Sequence, residues 1–119
     1  MAVQNNLMVS CNPTTAFECA IRTLKTFQNR YEMYINSRFL TVTTTIQHHA
    51  SGDMLTDLKV ISITILPNVN GCSQMQLTCD FQPSKAFNKG SILLTIAEYL
   101  DRYSRMLDQM IQENIDVGL

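Results

Sequence analysis

His48 and His49 stand side by side and are the chain's only histidines. On a strand, adjacent side chains point to opposite faces, so the two cannot readily share a metal ion, which needs three or four converging ligands. The nearest further ligand, Asp53, lies across a turn. Cys11, Cys19, Cys72 and Cys79 have no CxxC spacing, so the usual zinc and redox signatures are absent. A dyad of Cys79 with a histidine is not fixed by spacing, because such dyads form in space. The alternation around Cys79 nevertheless points its thiol into a core, where a thiol away from cations is inert. Most of the carboxylates read as solvent faces of helices, where Glu98 with Arg102 and Asp101 with Arg105 can form i,i+4 pairs. Gly52, Gly71, Gly90 and Gly118 are isolated, so no phosphate-cradling loop is present, and no Gly-x-Ser-x-Gly elbow occurs. These residues specify no reaction, no metal and no cofactor. The expectation is a chain that is not an enzyme.

Bulk composition narrows the partners. Net charge is −1, and 16% of the 119 residues are charged. The nine Lys and Arg are scattered and read as solvated surface charges, which argues against nucleic acid, since phosphate neutralisation needs clustered cations. No stretch reaches the roughly 18 apolar residues of a membrane span. The start lacks the basic and apolar regions of a secretory signal. The expectation is therefore a cytoplasmic location, with all four cysteines as free thiols. The length suits a single domain over 1–119, and the 45% hydrophobic content supports a core without staples.

The elements that hold these residues follow from periodicity. Leu7 to Cys11 is a short apolar run, read as a first strand. Asn12 before Pro13 is an N-cap followed by proline at the first helical position. Phe17, Ala20, Ile21, Leu24, Phe27 and Tyr31 continue at helical spacing, so a helix is expected from Pro13 to about Asn29. Tyr31 to Ile35 suits either a helix extension or a short strand. From Phe39 the period becomes two. Leu40, Val42, Thr44 and Ile46 share one face of a strand rich in β-branched residues, and Ala50 to Asp53 is a turn.

A second strand from about Thr56 to Leu66 places Ile61, Ile63 and Ile65 on one face, and Pro67 ends it. Asn70-Gly71 suits a tight hairpin, because both residues tolerate positive φ. In the third strand Met75, Leu77, Cys79 and Phe81 alternate with Gln74, Gln76, Thr78 and Asp80. Ser91 is read as the cap of a closing helix to about Asn114, whose stripe is Leu93, Ile96, Leu100, Tyr103, Leu107 and Met110.

The fold class expected is α+β, in the order β-α-β-β-β-α, with one further strand if 31–35 is extended. An antiparallel meander carries the N-terminal helix and the long C-terminal helix on one face. The opposite face holds Thr41, Thr43, Thr45, Gln47, Ser62, Thr64, Gln74, Gln76 and Thr78, an almost uncharged surface that is cheap to desolvate. With Phe87-Asn88-Lys89-Gly90 leading into Ile92 and the closing helix, this architecture resembles the class containing TATA-binding-protein-like and Bet v 1-like folds, and small bacterial domains of unknown function. The resemblance implies a fold and no activity.

Two uses follow. The first is a non-catalytic domain acting by protein–protein contact or self-association as a homodimer. A helix over 91–114 is about 36 Å long, whereas strands of about 8–10 residues span about 27–33 Å. The helix end, with Leu107, Met110, Ile111 and Ile115, is then expected to overhang and form an interface. The alternative is a carrier of a small apolar ligand, with a cavity lined by Met75, Leu77, Phe81, Leu100 and Tyr103. The seven methionines suit either a softly packed core or such a pocket.

Overall fold

The computed structural model describes residues 3–27, 31–48, 57–81 and 89–117. The elements are β1 (Val3–Val9), α1 (Pro13–Lys25), β2 (Tyr34–Asn36), β3 (Thr41–His48), β4 (Asp57–Pro67), β5 (Ser73–Phe81) and α2 (Lys89–Val117). They build an α+β fold in which one antiparallel five-stranded sheet has the order β1-β5-β4-β3-β2. The meander β3-β4-β5 lies at its centre. The N-terminal strand adds beside β5, and of the ambiguous segment at 31–35 only Tyr34 and Ile35 enter a strand, the short edge strand β2.

Local chemistry starts and stops these elements. The Asn12 Oδ1 accepts from the Thr15 amide at 2.8 Å, with Pro13 in the first turn of α1. α1 ends at Lys25, four residues before the expected end, because the amides of Thr26 and Phe27 bond to the Thr23 and Leu24 carbonyls in a tightened last turn. Asn70 and Gly71 have φ of 60° and 73°, as their types allow. They sit in a 3-10 turn, Val69–Gly71, capped by Asn68, so the β4–β5 loop is longer than a two-residue hairpin.

Several sequence expectations are corrected. β1 spans Val3–Val9 rather than Leu7 to Cys11. Its polar middle, Gln4-Asn5-Asn6, carries no strand signal, and pairing with β5 from Val3↔Cys79 to Val9↔Ser73 decides it. Leu40 does not join the inward file of β3. It adopts φ 51° in the turn before the strand, and its carbonyl accepts from the Ile65 amide at 2.9 Å. Ser91 lies within α2 rather than capping it, because the helix begins at Lys89. Leu93 is exposed, and Tyr99, absent from the expected stripe, is fully buried. The buried face of α2 runs through Ile96, Tyr99, Tyr103 and Met110, which is also three-four spacing but rotated toward the tyrosines.

The alternation in the meander holds. Val42, Thr44, Ile46, Ile61, Ile63, Ile65, Met75, Leu77 and Cys79 are buried under the two helices, while Ser62, Thr64, Gln74, Gln76 and Thr78 are half-buried on the other side. On that outer side Thr43 and Ser62 hydroxyls lie 2.9 Å apart, and Thr41 and Thr64 hydroxyls 3.2 Å apart. Such cross-strand pairs tie the uncharged face together. The turn expected at 50–53, with His49 and Asp53, lies outside the described residues, as do the side chains of Gln47, His48 and Phe81.

Candidate functional site

Period-two alternation on β3, β4 and β5 brings nearly every large aliphatic side chain of the meander onto one inner surface. α1 and α2 lie over its middle. They are joined to each other by a seam of small residues on α1, namely Ala16, Cys19, Ala20 and Thr23, all buried. Small side chains let two aromatic rings of α2 settle there. The Tyr103 hydroxyl donates to the Ala16 carbonyl at 3.1 Å, and the Tyr99 hydroxyl to the Ala20 carbonyl at 3.4 Å. Phe27 stacks on Tyr99 with centroids 6.4 Å apart. Arg102 closes the end of the seam: its guanidinium stands 4.1 Å from the Phe27 ring centroid and donates to the Thr26 carbonyl at 3.0 Å. It also pairs with Glu98 at 2.6 Å. Beside it is an open groove of about 260 Å³ lined by Thr26, Arg102, Arg105, Met106 and Gln109.

The helices leave both margins of the inner surface uncovered. On the β2 side, Ile35 pairs with Val42 and therefore shares its face, yet Ile35 is 47% exposed while Val42 is fully buried. On the β1 side, Leu7 pairs with the buried Met75 and is 39% exposed. An apolar surface thus continues from the core out to solvent at two edges.

The expected cavity residues converge on this surface. Met75, Leu77 and Tyr103 belong to one buried cluster, and Leu100 packs against it half-buried. The side chain of Phe81 lies outside the described residues. Of the expected interface set, Leu107 is half-buried against the same cluster, and Met110 is buried within its own chain at 4% exposure. Ile111 is exposed, and the side chain of Ile115 lies outside the described residues.

The buried thiols and phenols of the core are held neutral. Burial pushes the Cys19 and Cys79 thiols up to about 11, and burial also raises both Tyr99 and Tyr103 well above the usual phenol range. Cys11 is raised by burial and by its neighbour Cys72. Thiols in this state are poor nucleophiles. All four cysteines are free, and among the described residues no group of three or more His, Cys, Asp or Glu side chains is placed to hold a metal ion.

Lys59 is the residue that sequence reasoning missed. It was counted among the solvated surface charges, whereas the structure buries it completely. The reason is register: Lys59 opens the inward file that continues Ile61, Ile63 and Ile65, and it pairs with Ile46 and Phe81 across the sheet. The signal was present in the period-two pattern, which runs back from Ile61 to Lys59 without a break.

The fold is Bet v 1-like. Over 96% of this chain and 99% of the other, it is similar to the structure of Ara h 8.0201, with a TM-score of 0.68 and 8% identity. It is similar to protein MLL2253 from Mesorhizobium loti over 92% of this chain and 98% of that one, with a TM-score of 0.63 and 12% identity. It is also similar to a point mutant of Thalictrum flavum norcoclaurine synthase in complex with a transition-state analogue, over 92% and 95% of the two chains, with a TM-score of 0.58 and 8% identity. No family model matches the chain, and no curated protein matches it in sequence.

Proposed function

We propose that this chain is a non-catalytic carrier that holds a small apolar ligand between the inner face of its sheet and α2. The observation that carries the reading is the uncovered margin of that face: Ile35 lies beside the buried Val42 and is 47% exposed. A ligand bound there would extend a core surface that the protein's own helices do not complete, and apolar burial is worth roughly 25 cal/mol per Å². The proposed walls are Met75, Leu77, Phe81, Leu100 and Tyr103. The norcoclaurine synthase neighbour, solved with a transition-state analogue, supports the use of this architecture for small molecules. The reading includes a reducing, cytoplasmic setting, which four free thiols favour.

Titration with an uncharged apolar fluorophore such as N-phenyl-1-naphthylamine tests the carrier reading. Saturable binding at one site per chain, weakened by Leu100→Gln, is the expected result. Non-saturating emission that is indifferent to the substitution overturns it.

A second reading, self-association, is favoured by Leu93, Leu94 and Ile111, which are exposed along α2. Light scattering across micromolar concentrations tests it: a mass of two chains supports a homodimer, and a concentration-independent mass of one chain removes it.

A further inference from the structure

The sheet ends in two unlike edges. At one, β2 has only three residues, Tyr34–Asn36. A very short edge strand offers little backbone to another chain. At the other, β1 runs for seven residues and pairs with β5 from Val3↔Cys79 to Val9↔Ser73 without a bulge. Among the described residues, no strand pairs with its outward side. A charged side chain, a proline or a bulge ordinarily protects such an edge. Val3-Gln4-Asn5-Asn6-Leu7-Met8-Val9 has none of them. Gln4, Asn5, Asn6, Leu7 and Met8 are all exposed, so the middle of the strand is covered on neither face.

The same sequence suits its own copy. In antiparallel pairing about a two-fold axis at Asn6, the Asn6 side chains of the two copies stand opposite each other. A carboxamide both donates and accepts, so it matches itself, whereas like charges directly opposite repel. Gln4 then lies opposite Met8, Asn5 opposite Leu7 and Val3 opposite Val9, with no charge in the set. The faces match as well. On the outer side Asn6 pairs with Gln76, and Gln76 with Thr64, so an uncharged row runs from one copy into the next. On the inner side Leu7 pairs with the buried Met75 and is itself exposed. The axis sets the two Leu7 side chains diagonally across the new strand pair, where each covers part of the apolar margin that the other leaves open.

We propose that β1 is the surface at which two copies of this chain join, edge to edge, into one continuous antiparallel sheet with Asn6 at the two-fold axis. This rests on the self-association reading and moves its contact from α2 to the sheet edge. Backbone hydrogen bonds supply the attraction, as in strand addition generally, and the leucine contact adds to them.

The test is light scattering at micromolar concentration on the wild type, on Asn6→Lys, on Asn6→Asp, on an equimolar mixture of those two, and on Leu94→Lys, which puts a charge on the exposed side of α2. The wild type should have the mass of two chains. Asn6→Lys and Asn6→Asp each set like charges opposite at the axis, and each should fall to the mass of one chain. Their mixture brings opposite charges together and should return to two. Leu94→Lys should stay at two. Recovery in the mixture separates lost pairing from lost folding, because a misfolded variant is not restored by its counterpart. A mass of two chains in both single variants overturns the proposal, and so does a mixture that stays at one chain. A dimer kept in the Asn6 variants and lost in Leu94→Lys puts the contact on α2, which overturns the proposal while self-association stands. A wild-type mass of one chain at every concentration removes the self-association reading and the proposal together.

Discussion

The Tyr103 hydroxyl reaches across the helix seam to the Ala16 carbonyl at 3.1 Å, where Ala16 itself is fully buried. A small residue on α1 makes room for the ring, and the carbonyl above it receives the hydroxyl. Tyr103→Phe keeps the ring and removes only that bond, so it should lower stability by about 1 kcal/mol. Tyr99→Phe, whose hydroxyl donates over 3.4 Å, should cost less. Urea denaturation of both variants checks the order.

The two faces of β5 should respond differently to truncation. Leu77 is buried on the inner face, and Leu77→Ala should cost roughly 2–5 kcal/mol. Gln76, its half-buried neighbour on the outer face, should tolerate alanine within about 0.5 kcal/mol. Equal effects at the two positions would refute the orientation of the sheet.

Alkali should destabilise the fold earlier than exposed groups would. Cys19 and Cys79 titrate at about 11 when folded, against an ordinary thiol value of 9.0. The folded state therefore holds protons that the unfolded chain has released. Their contribution is complete below about pH 9 and is lost as pH rises through 11. Tyr99 and Tyr103, raised by burial, act in the same direction above their ordinary value of 10.0. Melting temperature should fall from pH 9 upward, and Cys79→Ala should flatten the first part of that fall.

Alkylation should sort the cysteines by burial. Under non-reducing denaturation all four should label. In the native protein Cys11 and Cys72, which are partly exposed, should react well before the buried Cys19 and Cys79. Mass spectrometry of timed samples reads this directly, and fewer than four labels after denaturation would reveal a disulfide.

Much of this protein was legible from local patterns. The Asn12-Pro13 start, the alternation from Gln74 to Cys79 and the isoleucine file of β4 each arise from interactions within a few residues, so the elements and the inner surface follow from the chain alone. The extent of β1 and the depth of Lys59 were not legible in that way. A polar edge strand such as Gln4-Asn5-Asn6 exists because β5 offers it a partner, and pairing between distant segments leaves no periodic trace. The depth of Lys59 depends on where β4 lies beneath the helices, because a lysine at an inward position reaches water unless its neighbours seal it. The rotation of α2 toward Tyr99 was likewise set by contact: Ala16, Cys19 and Ala20 on α1 open a seam that admits two rings, and that shape exists only once the helices meet.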